Sequence, residues 1–175
     1  MAFLFHMVPP DMHGHVLYPL NALKDVRPDL YQAEAAKYEG RGRLLTRRIE
    51  PLDCLWNDVL HLTAIEPAVL KAALVDAGAS PNPWSFYCID PAALDMRNAM
   101  VFLSRLPMTE MGIDPRDFAP YDPAGVEPYA QVPEATKAYY RARIAEGKRP
   151  LLFAHAPHIF YRGPIDVSSC EIVTV

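Results

Sequence analysis

The distribution of apolar side chains along the chain predicts many short strands. Residues 2–8 are apolar at almost every position until the chain meets Pro9 and Pro10, a pattern typical of a strand that is buried on both faces. Residues 57–64 have the branched and aliphatic content of a second clear strand. The other candidate strands, which bring the expected total to about seven, are 43–49, 84–89, 100–104 and two or three from 151–154, 158–161 and 170–175.

Three segments carry a helical spacing of apolar residues. The clearest begins at Pro67 and repeats apolar side chains at intervals of three and four until Gly78. Further helices are predicted over 28–38, with a weak apolar stripe, and over 133–147. Because strands and helices do not alternate regularly, we predict an α+β fold in one domain over 1–175. Its core would be a bent, split, mixed β-sheet of about seven short strands, with about three helices outside.

Composition supports a globular protein with frequently interrupted elements. Hydrophobic residues make up 51% of the chain and charged residues 22%, which argues against disorder and coiled coil. The 18 prolines are roughly twice the usual number for this length, so long helices are not expected. Residues 105–133 are rich in proline and acidic side chains. We expect a long loop there, either a cover over a site or, in a non-enzymatic alternative, a surface that binds a partner protein.

Charge argues against partners that are held by bulk electrostatics. The formal net charge is −4 and the isoelectric point is about 5.8, which disfavours nucleic acid and anionic membranes while leaving a local basic groove open. Residues 24–48 gather seven of the 17 basic side chains, including Arg41. These cations could hold a phosphate or pyrophosphate. The alternative is a solvated helix face followed by an exposed strand.

Cysteine usage and hydropathy predict a cytoplasmic protein. Cys54, Cys88 and Cys170 are widely spaced and flanked by apolar residues, which favours reduced, buried thiols over disulfides or a zinc knuckle. No run of 18 apolar residues is present, so we expect no membrane span. The first eight residues lack the basic and long apolar regions of a signal peptide.

The familiar nucleotide, phosphate, hydrolase and zinc-protease signatures are absent, since the chain has no GxGxxG, Walker loop, GxSxG or HExxH. Two close histidine pairs, His13 with His15 and His155 with His158, could each offer nitrogens to one metal ion. Neither pair has an obvious third ligand. A metal-dependent hydrolase or metal-binding protein is therefore an alternative function, and the preferred interpretation expects no metal.

His6 and His61 each place one polar ring inside an apolar strand. A buried polar group needs a partner or a ligand, so we predict that both rings face one cleft. If 57–64 is a strand throughout, Asn57, His61 and Thr63 lie on one face and are suited to lining that cleft. The alternative for Asn57 is a turn that precedes the strand.

Three segments together resemble the ADP-ribosyltransferase-like fold, and within it the toxin enzymes that modify single-stranded DNA. They are 5–8 (Phe-His-Met-Val), 55–67, which contains the run Leu-Trp-Asn-Asp-Val-Leu-His, and 157–165, which ends in Gly-Pro-Ile. The resemblance implies a split, bent sheet whose cleft binds NAD as its cofactor and partner nucleotide. It also implies that His6 contacts the nicotinamide ribose and that 57–63 lines the pocket.

The chemistry implied by this resemblance is ADP-ribosyl transfer, in which a glycosidic bond breaks through an oxocarbenium-like state. Such a state needs a carboxylate near the ribose and usually a basic group on the pyrophosphate. This chain departs from the toxin pattern twice, with Ile65-Glu66 where an Arg is expected and His158 where a Glu is expected.

We therefore assign the candidate residues as follows: His158 and His61 as catalytic, and His6, Asn57, Thr63 and Arg41 as cofactor-binding. Either Glu66, Glu171 or an acid from 105–133 replaces the missing carboxylate, or the cleft binds a nucleotide without transferring ADP-ribose.

Overall fold

The structure, a computed structural model, describes residues 2–36, 42–106, 108 and 112–175. Within these ranges the chain forms four α-helices and eleven short strands, linked by several 3-10 turns. The helices are α1 (Leu23–Val26), α2 (Pro28–Ala36), α3 (Pro67–Asp76) and α4 (Glu134–Ala145). The strands are β1 (Leu4–Met7), β2 (Val16–Leu17), β3 (Arg48–Ile49), β4 (Cys54–Leu55), β5 (Leu60–Leu62), β6 (Ser85–Ile89), β7 (Ala99–Phe102), β8 (Phe118–Pro120), β9 (His158–Tyr161), β10 (Ile165–Asp166) and β11 (Glu171–Thr174).

Seven of the strands build two main antiparallel sheets. One has three strands in the order β1-β6-β11, and the other has four in the order β5-β9-β7-β8. Two-residue ribbons pair β2 with β10 and β3 with β4. The predicted combination of helices and strands is confirmed, but the single mixed sheet is not, because every strand pair in the described part of the chain is antiparallel.

The four-stranded sheet separates two apolar layers because successive side chains of a strand point to opposite faces. On one face Leu60, Val101 and Ile159 join a cluster that also contains Leu4 and Val167, so both ends of the chain meet in one core. The aromatic rings of Phe102 and Phe160 occupy the other face. A third cluster packs α3 against α4 around the fully buried Tyr140.

Among the described residues, no helix combines the length and apolar character that a membrane span requires.

Two predicted strands were wrong. Residues 43–49 form a 3-10 turn over Gly42–Leu44, and only Arg48–Ile49 is extended. Residues 151–154 form turns instead of a strand, and Leu151 is 63% exposed. Composition does not separate these segments from true strands, since 151–154 is apolar at all four positions, yet no strand pairs with it among the described residues.

The segment 105–133 was predicted to be a long loop, and its described part is instead built into the core. β8 extends the four-stranded sheet, and Tyr121 is buried with its hydroxyl donating to the carbonyl of Pro91 at 2.8 Å. Two of the prolines, Pro115 and Pro123, begin 3-10 turns whose N-cap is an aspartate. Asp114 and Asp122 each accept the N–H two residues on at 2.9 Å, so the Asp-Pro pairs specify turns rather than disorder.

Asp117 anchors this segment to the sheet. Its carboxylate is fully buried and accepts the backbone N–H groups of Arg105 at 3.0 Å and Leu106 at 3.3 Å. The Arg105 guanidinium lies 3.7 Å away. A buried carboxylate with these partners holds the turn between β7 and β8 closed.

Asp117→Ala should lower the free energy of unfolding by about 3 kcal/mol, because the part-buried N–H groups of Arg105 and Leu106 lose their charged acceptor. Asp122→Ala, which removes one exposed N-cap bond, should lower it by only about 1 kcal/mol. Urea unfolding measures both values. Equal losses in the two variants would contradict the anchoring role.

Candidate functional site

A cleft opens where the two main sheets separate. Within the described residues an isolated bridge joins them, in which Phe5 donates to the carbonyl of Thr63 at 2.7 Å and Thr63 donates back at 3.1 Å. Beyond this bridge β1 pairs with β6, and the N–H of Val8 donates to the carbonyl of Ser85, while β5 pairs with β9. The two backbones diverge, and a cavity of about 450 Å³ lies between them. That volume suits a small-molecule ligand.

One wall of the cleft is fixed by Asp58. Its carboxylate accepts Asn21 Nδ2 at 2.7 Å and the N–H of Leu55 at 2.7 Å. The first bond ties the 3-10 turn at Leu20–Ala22 to the turn at Trp56–Asp58. Asp58 therefore holds the 56–58 turn against the segment that covers the cleft, and it has a structural role.

Asn57 is the most unusual polar residue of the cleft. The side chain is 2% exposed and lies in the cleft wall, and its Nδ2 has no hydrogen-bond acceptor among the described residues. A buried donor without an acceptor costs about 1–3 kcal/mol. Such a group in a cavity wall points to a ligand that carries an acceptor.

His6 and His61 line the same cleft, and backbone carbonyls fix their tautomers. His6 Nδ1 lies 2.7 Å from the carbonyl of Met7, and His61 Nε2 lies 3.2 Å from that of Trp56. A carbonyl only accepts, so each of these nitrogens carries the proton. The opposite nitrogen of each ring, Nε2 of His6 and Nδ1 of His61, is left as an acceptor.

His158 lies beside His61 rather than in the cleft wall. The two rings meet edge to face with centroids 5.9 Å apart, and His158 Nδ1 donates to the carbonyl of Ala156 at 2.9 Å. Phe102, Phe153 and Phe160 surround the His158 ring. His158 therefore supports His61 from the aromatic layer of the sheet.

Burial keeps the three rings neutral. It lowers the pKa of His61 to about 3, with a further contribution from the neighbouring His158. It lowers the pKa of His158 to about 4, against the opposing effect of the Ala156 carbonyl, and it also lowers the pKa of His6. At neutral pH the rings can accept hydrogen bonds but carry no charge.

Charged groups stand at the outer part of the cleft. Arg27 lines it and donates to both carboxylate oxygens of Asp29, at 3.0 and 2.7 Å, which lowers the pKa of Asp29 to about 2. Asp11 and Glu34 are the carboxylates in the cleft lining among the described residues. The cleft thus holds one guanidinium and two carboxylates around an apolar and imidazole-lined interior.

The structure brings together three of the six candidate residues, His6, Asn57 and His61. Asn57 does so from a 3-10 turn, so of the two alternatives for this residue the turn before the strand is correct and the position on the face of a strand is not. Thr63 is 2% exposed and absent from the cleft lining, and its Oγ1 accepts the N–H of Ile65 at 3.1 Å. Arg41 lies outside the described residues.

The carboxylates proposed from sequence do not reach the cleft. Neither Glu66 nor Glu171 lines it, and neither does any described acid of 105–133. Asp11 and Glu34 were missed as cleft carboxylates, whereas Arg27 belongs to the basic segment 24–48 that was considered for a phosphate. Asp11 lies on a loop and Glu34 on the weakly amphipathic α2, whose packing the sequence pattern does not reveal.

Within the described residues the structure does not support either histidine pair as a metal site. His13 and His15 are exposed at the cleft, whereas the ring of His155 packs against Tyr139 and that of His158 against His61. The described part of the chain contains no group of three or more histidine, cysteine, aspartate or glutamate side chains arranged to hold a metal ion. The geometry therefore gives the metal alternative no support.

Acid should destabilise the protein over the pH range in which these histidines become protonated in the unfolded chain. Between about pH 6.5 and 4 the unfolded state binds more protons than the folded state. The contribution of these histidines to the free energy of unfolding is therefore greatest above pH 6.5 and falls as the pH drops towards 4. Each unit of lowered pKa corresponds to about 1.4 kcal/mol. His158→Gln should therefore flatten the dependence seen in urea unfolding from pH 7 to 4.5.

His13→Gln, at an exposed loop position, is the matched control and should reproduce the wild-type slope. If His158→Gln keeps the full slope, burial of this imidazole is not what makes the protein acid-sensitive.

Comparisons of the chain with protein-family models, with curated proteins and with solved structures found no match. The interpretation of the cleft therefore rests on its own residues.

Proposed function

We propose that the chain is an ADP-ribosyltransferase-like protein that binds NAD in the cleft between β1 and β5. The observation that carries the proposal is the buried, unpartnered Nδ2 of Asn57 in the cleft wall beside His6 and His61. This group needs an acceptor oxygen, and the two rings offer acceptor nitrogens to ligand donors.

Nicotinamide nucleotides fit this pattern of donors and acceptors. The carboxamide of nicotinamide presents a carbonyl oxygen to a donor such as Asn57 and an amide N–H to an acceptor. The ribose hydroxyls can donate to the acceptor nitrogens of His6 and His61. Arg27 is the described cation of the cleft lining, and its planar guanidinium suits a phosphate oxygen.

The arrangement of the sheets also supports the proposal. The family resemblance implies a split sheet with its nucleotide in the split, and here the cleft lies where the three-stranded and four-stranded sheets part. The likeness to the ADP-ribosyltransferase-like fold is therefore part of the proposal.

Bound NAD would supply an ADP-ribosyl group through cleavage of its glycosidic bond. For this reaction the chain offers two carboxylates, Asp11 and Glu34, which can stabilise positive charge that develops on the ribose. A ring with a pKa of about 3 is a weak base at neutral pH, so His61 is assigned to orienting the substrate. His158, which touches His61, is assigned as its positioning residue.

The variant Asn57→Leu tests the contribution of this amide to ligand binding independently of its effect on stability. The apolar side chain has a similar volume and removes the unsatisfied donor, so the free energy of unfolding should stay equal or rise by about 1 kcal/mol. NAD affinity, measured by isothermal titration calorimetry, should fall about tenfold or more because the ligand loses a buried hydrogen bond.

Asn98→Leu is the matched control, since the Asn98 Nδ2 already donates to Asp95 at 3.4 Å outside the cleft. It should lower stability modestly and leave NAD affinity unchanged. If Asn57→Leu lowers the free energy of unfolding but binds NAD with wild-type affinity, the Asn57 amide does not contact the ligand.

Transfer chemistry is tested by release of nicotinamide from NAD by the purified chain. We expect slow release that falls at least tenfold in Asp11→Asn or in Glu34→Gln, because the developing positive charge loses its carboxylate. Chromatographic detection of nicotinamide measures this rate. If both variants release nicotinamide as fast as the wild type, these carboxylates have no part in the reaction, and if NAD binds without any release the cleft is a binding site only.

A further inference from the structure

A second cavity of about 770 Å³ lies on the other side of β1 from the cleft. It is enclosed by the loop 79–84, the segment 147–152 and the C-terminal parts of α3 and α4. Its walls are mostly apolar: Leu74 is buried at one side, and Trp84, Ile144 and Leu152 are half-buried around it. A concave apolar surface of this size is typical of a site for a small organic molecule.

The charged side chains around this cavity are mainly positive. Lys148 and Arg149 line it, and no carboxylate does so among the described residues. Lys148 donates to Glu146 at 2.9 Å, and Arg143 reaches the same carboxylate at 3.3 Å. Arg143 Nε is buried without an acceptor in the described part of the chain. Lys148 and Arg143 therefore share the carboxylate of Glu146, Arg149 adds a third positive charge nearby, and the opening of the cavity favours an anion.

We propose that this cavity binds a small amphipathic carboxylate, a molecule with an unbranched apolar body and one anionic head. The body would contact Leu74, Trp84 and Ile144, and the carboxylate would contact Arg149 at the opening. A neutral apolar molecule would leave the excess positive charge uncompensated, whereas a strongly polar anion would gain little from the apolar walls.

This site is distinct from the proposed nucleotide site and goes beyond that function. His6 lines the cleft while the next residue, Met7, lines the second cavity, because consecutive side chains of β1 point to opposite faces. The cleft lining and the cavity lining share no residue within the described ranges. Each site can therefore be tested while the other is intact.

The experiment is isothermal titration calorimetry of the full chain with sodium octanoate, 1-octanol and octylammonium. Octanoate should bind most tightly, 1-octanol at least fivefold more weakly, and octylammonium more weakly still. Arg149→Gln should weaken octanoate about tenfold, and Leu151→Asp should weaken it similarly by placing a negative charge at the exposed apolar rim. Both positions are exposed, so these variants are expected to fold.

Arg141→Gln is the matched control, an exposed cation of α4 outside the cavity lining, and it should bind octanoate like the wild type. Saturating NAD should leave octanoate binding unchanged. The proposal is overturned if octanoate does not bind, if 1-octanol binds equally well, if Arg149→Gln has no effect, or if NAD displaces octanoate. None of these results depends on whether NAD itself binds the cleft.

Discussion

The isolated bridge between Phe5 and Thr63 is the constraint on which the site depends. It joins the edges of two antiparallel sheets through one residue pair, and beyond this pair β1 is hydrogen-bonded to β6 and β5 to β9. Two sheets that continued their pairing would leave no room for a ligand, and two sheets without the bridge would not fix the distance between His6 and His61. Leu4 of β1 also packs in the same apolar cluster as Leu60 and Leu62 of β5, so the bridge and the shared core together hold the two sheets at the cleft.

The interior of this cleft combines rigid positioning with unmet hydrogen-bonding capacity. Asp58 holds the turn that carries Asn57, and the carbonyls of Met7 and Trp56 orient the two imidazoles. Asp58 and the two carbonyls are themselves hydrogen-bonded, while the Asn57 Nδ2 has no acceptor among the described residues and each imidazole keeps one acceptor nitrogen. This division is what a preorganised binding site requires, since ligand binding then costs little reordering of side chains.

Sequence patterns predicted the elements whose apolar spacing is strong. α3 and α4 and the strands β1, β6, β7, β9 and β11 were predicted close to their positions, and His6 and His61 line one cleft, as their place in apolar strands predicted. Two-residue strands such as β2 and β10 were missed because they are too short to carry a period. A turn at Asn57 was one of two alternatives that the sequence left open, but local pattern cannot show the contact between Asp58 and Asn21, 37 residues away, that holds this turn at the cleft.

Aspartate and proline account for the largest difference between prediction and structure. The pattern of 105–133 was interpreted as a loop because its prolines follow no helical or strand period. Asp114 and Asp122 instead cap 3-10 turns, and Asp117 fixes the segment from inside the core. Similarly, the carboxylates of the cleft were sought at Glu66, at Glu171 and in the predicted loop 105–133. Asp11 and Glu34 reach the cleft from a loop and from α2, a placement set by tertiary packing.

A crystal structure of the chain grown with NAD or ADP-ribose tests the central claim most directly. The account predicts nucleotide density between β1 and β5, with an acceptor oxygen within hydrogen-bond distance of Asn57 Nδ2 and a phosphate near Arg27. Nucleotide density elsewhere on the surface, with the Asn57 amide still lacking an acceptor, would contradict it.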